Sequence, residues 1–208
     1  MLLRRLVNNK FNSNTYLLTS DSASRKVCLI DCSYEKICNI IDIAKFDVSV
    51  FITHFHYDHI IALNYLFDNN KSCKVYASKD TFDGLFNSKV NLSYYRGLNF
   101  EFKYPKSTFI EVKEGDDLII LNGESLRVLD TSGHCTGCRS YVTKKFLFTG
   151  DSLIPFRKVV TKLPGGDKIN ATKSVKRILT QLKDNHLVCA GHGPIISERE
   201  CSNFKGYF

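Results

Sequence analysis

Four residues able to bind a metal ion lie within one short stretch, residues 54–59. They are His54, His56, Asp58 and His59. In extended backbone the side chains of residues i and i+2 point the same way, so His54 and His56 can bind one ion while the other two turn toward a second position. Neutral imidazoles and a carboxylate are ligands that zinc or iron prefers. The stretch therefore predicts a metal centre.

Three further candidate ligands each follow a β-rich run and lie beside a glycine: His134, Asp151 and His192. Glycine lets the backbone turn sharply, which would bring these side chains to one shared rim. The remaining histidine, His186, begins a predicted strand and has no such setting. We therefore interpret His186 as a structural residue.

A centre with two ions predicts hydrolytic chemistry. Two cations would lower the pKa of a bridging water from about 15.7 toward 7, which supplies a metal-bound hydroxide at neutral pH. The hydroxide would attack a carbonyl or phosphoryl group whose oxygen one cation polarises. Asp58 is the catalytic candidate, because a carboxylate beside the nucleophile can orient water or carry its proton.

The elements that must position these residues alternate between β-rich and helical runs. We predict strands over 14–19, 26–30, 48–53, 74–77 and 186–189. We predict helices over 35–46, 58–68, 79–86 and 171–182. The first of these helices would begin near Asp31 or Ser33 as its cap. The aromatic and polar segment 90–105 has no clear period, so we predict a loop that covers a site.

Two hairpins are also predicted. Strands over 117–121 and 126–130 flank Asn122-Gly123, and strands over 140–143 and 146–149 flank Lys144-Lys145. A turn over 20–25 separates the first two strands. Strand–helix alternation with hairpins mixed in predicts an α/β (α+β) fold of two sheets covered by helices.

Positive charge is concentrated in one part of the chain. The net charge is +8, and residues 157–183 alone carry eight basic residues against Asp167. The basic residues of the predicted helix 171–182 fall on its solvated face. Arg157, Lys158 and Lys162 lie outside any helical period shortly after Asp151, so they are the candidates for binding a carboxylate or phosphate of the substrate.

Length and composition favour a single domain over residues 1–208, with 43% hydrophobic and 24% charged residues to supply a core. The longest mainly apolar stretch, residues 59–67, is far shorter than the roughly 20 residues of a membrane-spanning helix. The N-terminal residues are basic but lack the apolar run of a secretory signal. We therefore expect a cytoplasmic protein without a membrane partner.

Eight cysteines are expected to be reduced in that compartment. Cys135 and Cys138 form a CxxC spacing, which is compatible with a redox dithiol or half of a zinc site. Since no second CxxC follows, we favour two small thiols lining a loop.

The seven candidate ligands, in this order, resemble those of the metallo-β-lactamase-fold hydrolases, and the resemblance covers about residues 14–197. It implies a four-layer αββα sandwich with the metals at one edge of the two sheets. It also implies the ligand sets. The first metal would be held by His54, His56 and His134, the second by Asp58, His59 and His192, and Asp151 would bridge both.

The segment Thr149-Gly150-Asp151 resembles the glyoxalase II-like branch of these hydrolases. The chain ends 16 residues after His192, so it resembles a short form without the C-terminal helical domain of that branch. The resemblance implies a hydrolase of a small, possibly anionic, thioester or ester. Its two divalent ions would be zinc, with iron or manganese as alternatives.

Two other activities remain open. Related sulfur (persulfide) dioxygenases use one iron at positions that match His54, His134 and Asp151. The basic segment 157–183 prompts a nuclease, which the lack of an RNA-recruiting arm or β-CASP-like insertion disfavours. We therefore expect a small-molecule substrate and no nucleic-acid partner. A non-catalytic metal scaffold is disfavoured because all seven ligand positions are filled.

Overall fold

The structure, a computed structural model, describes residues 1–20, 25–203 and 206. Four strands precede the first helix: β1 Leu2–Val7, β2 Asn14–Thr19, β3 Lys26–Ile30 and β4 Asp47–Phe51. Then follow α1 Tyr57–Ile60, α2 Leu63–Asn69, β5 Lys74–Ala77, α3 Lys79–Gly84, β6 Phe109–Glu111, β7 Asp117–Ile119 and β8 Ser125–Asp130. The remaining elements are β9 Arg139–Val142, β10 Phe146–Gly150, α4 Lys168–Gln181, β11 Leu187–Ala190, β12 Ile196–Ser197 and α5 Glu198–Asn203. Within the described ranges, no helix is both long and apolar enough to cross a membrane.

The strands form two six-stranded sheets. The first has the order β1-β2-β3-β4-β5-β6, and the second has the order β12-β11-β10-β9-β8-β7. Both sheets are mixed, because β3 to β6 pair in parallel in the first and β10 pairs with β11 in parallel in the second. The carboxyl ends of parallel neighbours meet at one edge, which is where loops can bring side chains together.

Successive residues of each strand pack on opposite faces, which builds four layers. Tyr16 and Leu18 of β2 face the core between the sheets, whereas Leu17 packs among the side chains of α1 to α3. In β10, Phe148 faces the inter-sheet core and Leu147 packs against α4 and α5. The order of layers is therefore αββα, which confirms the predicted fold class.

Several predicted elements have the observed bounds. The strands over 14–19, 26–30 and 74–77 are β2, β3 and β5. Both predicted hairpins form, as the antiparallel pairs β7–β8 and β9–β10. In the first, Asn122 (φ 52°) and Gly123 (φ 74°) take the left-handed conformation that a tight hairpin turn requires. Of the predicted turn over 20–25, residues 21–24 lie outside the described residues.

The helix predicted over 35–46 is wrong. The segment forms two short 3-10 turns, Ile37–Asn39 and Ile43–Lys45. Its isoleucines are β-branched and lose side-chain freedom in a helix. In addition, the Asn70 side-chain amide donates to the carbonyls of Ile43 (2.5 Å) and Phe46 (2.8 Å), so a tertiary contact fixes the backbone here.

The helix predicted over 58–68 is interrupted, since α1 ends at Ile60 and α2 begins at Leu63. The loop that follows β3 causes the interruption. The amide of Cys32 donates to the carbonyl of His59 (2.7 Å), and the amide of Ala62 donates to the carbonyl of Cys32 (3.0 Å). These bonds fix the one-turn helix α1, which carries Asp58 and His59, against the end of the first sheet.

Candidate metal centre

Five of the candidate ligands lie in loops that follow strands, and Asp58 and His59 lie on the one-turn helix α1. His54 and His56 lie between β4 and α1, and His134 lies between β8 and β9. Asp151 follows β10 directly, and His192 lies two residues beyond β11. Because β10 and β11 are parallel neighbours, their carboxyl ends place Asp151 and His192 at the same edge.

The structure brings the seven predicted side chains into three overlapping groups, in each of which the ligand atoms lie within 4.8 Å of one another. The groups are His54, His56 and His134; Asp58, His59 and His192; and His54, His59 and Asp151. The first two are the ligand sets that the family resemblance implies for the two metals. The third connects them.

Asp151 lies between the two ligand sets. Its Oδ1 is 3.4 Å from the Nε2 of His59. Its Oδ2 is 3.8 Å from the Nε2 of His134 and 3.5 Å from the Nε2 of His192. A single carboxylate therefore faces ligands of both sets, as a bridging residue must.

Four of the histidines have their second ring nitrogen, Nδ1, held by a residue outside the ligand sets. The partners are Thr53 Oγ1 for His54, Asp31 Oδ2 for His59, the Val160 carbonyl for His134 and the Asn12 carbonyl for His192. The four distances lie between 2.7 and 3.0 Å. Such bonds fix the ring orientation and leave Nε2 as the ligand atom.

Several ligand atoms are buried without a hydrogen-bond partner among the described residues. They are the Nε2 atoms of His54, His56 and His59 and the Oδ1 of Asp151. A buried polar atom without a partner destabilises a fold by about 1–3 kcal/mol. A cation bound among these nitrogen and carboxylate ligands would satisfy them together, so the residues present fit divalent metal ions.

The electrostatics of the site also suit cations. Burial, helped by neighbouring histidines, lowers the pKa of His56 to about 3 and that of His54 well below its ordinary value, so both rings are neutral and offer a lone pair. Burial also disfavours charge on His59, but Asp151, Asp58 and Asp31 outweigh it and raise its pKa to about 10. The carboxylates of the site thus favour positive charge among them.

Asp31 is a functional residue that the sequence interpretation missed. We predicted it near the cap of a helix, which is wrong. Its buried carboxylate accepts hydrogen bonds from the Thr53 amide (2.7 Å) and hydroxyl (2.9 Å) and bonds the Nδ1 of His59 (2.8 Å). An acidic residue at the end of the buried strand β3 was the signal that could have identified it.

Gly191 shows why a glycine accompanies the last ligand. A Cβ at this position would lie 2.2 Å from the Oδ1 of Asp151 and 2.6 Å from the Cε1 of His59. No side chain fits in that space, so the backbone of the β11 loop closes directly over the two ligands.

The ligands open onto a cavity of about 540 Å³. His56, Asp58, His134 and Asp151 form its floor. One wall comes from the predicted loop over 90–105, which holds only the short 3-10 turn Tyr94–Arg96 and, as predicted, covers the site. The other wall comes from Val160, Leu163 and Pro164.

The three predicted substrate-binding residues, Arg157, Lys158 and Lys162, do not line this cavity. All three are exposed, and Lys158 faces a separate, smaller hollow beside α4. Their segment contributes to the site through Val160, whose carbonyl bonds His134. The basic segment thus supports a ligand rather than presenting its charge to the cavity.

The paired thiols lie in the same loop as His134, between β8 and β9. The Sγ atoms of Cys135 and Cys138 are 3.2 Å apart, and both residues are buried against Phe55. The hydrogen bond to Cys138 and burial raise the pKa of the Cys135 thiol well above its ordinary value. Neither thiol belongs to a metal-binding group. His186 is buried too and accepts a hydrogen bond from the Lys183 amide (3.3 Å), which fits a structural role.

A sequence profile of the metallo-beta-lactamase superfamily matches residues 9–192. The chain belongs to this superfamily. It is also similar to the probable metallo-hydrolase M6_Spy0554 of Streptococcus pyogenes serotype M6, with 31% identity over 207 residues that cover 93% of this chain and 84% of the relative.

Solved structures share the fold over nearly the whole chain. BLEG-1 B3 metallo-beta-lactamase has a TM-score of 0.85 at 23% identity and covers 99% of this chain and 98% of its own. TTHA1623 in a di-iron-bound form has a TM-score of 0.81 at 22% identity, with 99% and 100% covered. ETHE1 from Myxococcus xanthus has a TM-score of 0.73 at 26% identity, with 99% and 84% covered.

Proposed function

We propose that this member of the superfamily is a dinuclear metal-dependent hydrolase of small thioesters or esters. The observation that carries the proposal is the position of Asp151 within 4 Å of ligands from both sets. A bridging carboxylate is typical of paired-ion sites that clamp the attacking and leaving atoms of a displacement. The description of the streptococcal relative as a probable metallo-hydrolase supports the same class.

When bound, two divalent ions would activate water and polarise the substrate carbonyl. His54, His56 and His134 would hold one ion, Asp58, His59 and His192 the other, and Asp151 both. The carboxylate of Asp58 also lines the cavity, with its Oδ2 3.4 Å from the Nε2 of His192. We assign it the task of orienting the attacking water and accepting its proton. An Asp58→Asn variant that keeps its metal and full turnover would contradict this role.

The cavity supports a small-molecule substrate. Its volume of about 540 Å³ is within the usual range of small-ligand pockets. Leu92, Val160, Leu163 and Pro164 give the walls an apolar surface above the polar floor. An apolar wall excludes bulk water and strengthens electrostatic interactions with the reacting carbonyl.

The identity of the ions is part of the proposal. The di-iron-bound form of TTHA1623 supports a pair of divalent ions in this fold. A site dominated by imidazole and carboxylate suits zinc, iron or manganese. We propose zinc because it supplies hydrolytic chemistry without changing oxidation state.

The test measures ions per chain by elemental analysis of protein purified without added metal, together with hydrolysis of acyl thioesters. We expect about two ions per chain and thioester turnover that a chelator abolishes. A β-lactam serves as the comparison substrate, because one structural neighbour is a B3 metallo-beta-lactamase. Two bound ions with turnover of the β-lactam alone would contradict the thioester assignment.

A second candidate is a mononuclear-iron sulfur dioxygenase. It is favoured by the grouping of His54 with both His134 and Asp151 and by the similarity to ETHE1 of Myxococcus xanthus, at 26% identity. A single iron per chain, no thioester hydrolysis and oxygen consumption with a persulfide would select this alternative.

A further inference from the structure

The cavity contains one side chain with a permanent positive charge, Arg96. Among the described residues that line it, no other lysine or arginine is present. Arg96 is the last residue of the short turn Tyr94–Arg96, and it lines the same cavity as Asp58 and Asp151. A guanidinium binds carboxylates and phosphates through two parallel hydrogen bonds, which makes Arg96 a candidate for recognising an anion.

No carboxylate among the described residues forms an ion pair with Arg96. Tyr57, the first residue of α1, lines the same cavity, and its ring packs edge-on against Phe11, 5.2 Å between centroids. No neighbouring carboxylate therefore neutralises the charge of Arg96, and it stays available to a ligand.

The backbone that carries Arg96 is fixed by buried polar groups. The side-chain amide of Asn91 donates to the carbonyls of Gly84 (3.3 Å) and Phe100 (3.0 Å), and the Ser93 hydroxyl accepts from the Phe100 amide (2.8 Å). Asn91 and Ser93 are fully buried. The Asn91 carbonyl accepts from the amide of Tyr57 (2.9 Å), which ties the loop to α1 beside the metal ligands.

The surfaces around Arg96 are apolar. Leu92 and Tyr95 come from the same wall, and Val160 and Leu163 face them from the other. Tyr95 is 67% exposed and Val160 is 51% exposed, so both present open apolar surface at the cavity mouth. A ligand that fills the cavity must therefore combine an apolar body with one anionic group.

We propose that Arg96, on a loop whose backbone is tied to α1, is the anion-binding residue of the cavity and selects substrates with an apolar body and a carboxylate or other single anion. The proposal rests on the hydrolase function for its kinetic test. Arg96 is a specificity-determining residue here.

The kinetic experiment compares two acetyl thioesters, those of 3-mercaptopropanoate and of 3-mercaptopropanamide. The first carries a carboxylate where the second carries an uncharged amide of the same shape. For Arg96→Gln we expect KM for the carboxylate thioester to rise about tenfold with kcat nearly unchanged, since one charged hydrogen-bonded pair is lost. KM for the amide thioester should not change. Arg96→Lys should raise KM for the carboxylate thioester less than Arg96→Gln does, because the lysine keeps the positive charge.

Arg127→Gln is the matched control, because Arg127 is exposed on β8 and does not line the cavity. It should leave KM for both thioesters unchanged. An equal change for both substrates in Arg96→Gln, or no change for either, would overturn the proposal. If Arg157→Gln rather than Arg96→Gln raised KM for the carboxylate thioester, the anion site would lie on the other segment and the proposal would be wrong.

A binding experiment separates this proposal from the hydrolase function. Calorimetric titration with pentane-1-sulfonate needs no turnover, and a sulfonate is a weaker metal ligand than a carboxylate. We expect binding to the wild-type chain and to Arg127→Gln and about tenfold weaker binding to Arg96→Gln. That result without thioester hydrolysis would keep the anion site and reject the hydrolase assignment. Equal affinity in all three proteins would reject the anion site whatever the turnover.

Discussion

The floor and the walls of the cavity are built in different ways. Among the ligands at and beneath the floor, His54, His59 and His134 are buried, and a partner outside the ligand sets holds the Nδ1 of each. On the walls, Tyr95 and Arg96 are exposed side chains on a loop whose backbone alone is fixed. In the proposed function, the floor would determine which reaction is performed, and the walls would determine which molecule is the substrate.

Replacement of Asp151 should impair metal binding and turnover more than any other change, because its carboxylate faces ligands of both sets. For Asp151→Asn we expect kcat/KM to fall by about 10²- to 10³-fold and the metal content to fall below two ions per chain. Steady-state kinetics and elemental analysis measure both. Asp117→Asn, an exposed aspartate on β7, is the control and should match the wild type. An Asp151→Asn variant with two tightly bound ions would show that this carboxylate does not bridge.

Asp31 tests whether a residue that holds a ligand in place affects metal binding nearly as much as the ligand itself does. In Asp31→Asn an amide replaces the carboxylate that bonds Thr53 and the Nδ1 of His59. Either the Thr53 amide loses its acceptor, or the bond to His59 reverses direction and moves the ring proton to Nε2. We expect metal affinity to fall about 10- to 100-fold, measured by competition with a chelator. Circular dichroism establishes that the variant is folded, and Asp42→Asn on the surface is the control. Unchanged metal affinity in a folded Asp31→Asn variant would show that the affinity depends on the direct ligands alone.

Cys135 and Cys138 test whether side chains next to a ligand also take part in metal binding. Since both thiols are buried against Phe55 and belong to no metal-binding group, Cys135→Ala should keep two ions per chain. Its free energy of unfolding should fall by about 1–2 kcal/mol because buried side-chain contacts are lost. Thermal unfolding and elemental analysis measure the two effects. Loss of an ion from a folded Cys135→Ala variant would instead make the thiol a ligand.

The floor could be predicted from the sequence because it depends on local patterns. The spacing of His54, His56, Asp58 and His59 places four ligands within six residues, and glycines accompany His134, Asp151 and His192. In β2 every residue but the last is buried, and in β5 buried residues alternate with more exposed ones. The pattern of apolar residues therefore identified both strands. The role of Asp31 was not predicted, because its contacts with Thr53 and His59 join segments that are distant in sequence, and the acidic residue directly after a buried strand was the one local signal.

The edges of the sheets and the charged residue of the cavity wall could not be predicted, for a physical reason. The edge strands β1, β6 and β12 were missed, because an edge strand buries few side chains; β1 has one buried residue. The helix predicted over 35–46 failed because Asn70, distant in sequence, fixes its backbone. Charge concentration pointed to Arg157, Lys158 and Lys162, yet the cation at the cavity is Arg96, which stands alone in sequence.

Tyr95 gives the mildest test of the comparison, since a wall residue should change substrate preference and leave the chemistry intact. Its ring is 67% exposed at the cavity mouth, so it gains burial only when an apolar group of the substrate covers it. For Tyr95→Ala we expect KM for a hexanoyl thioester to rise about fivefold, the effect of roughly 40 Å² of apolar contact. KM for the acetyl thioester, kcat and metal content should not change. Ile119→Ala, 70% exposed on β7 and outside the cavity, is the control. A fall in kcat for both thioesters would show that this wall also positions the reacting groups, and the separation of floor from walls would then fail.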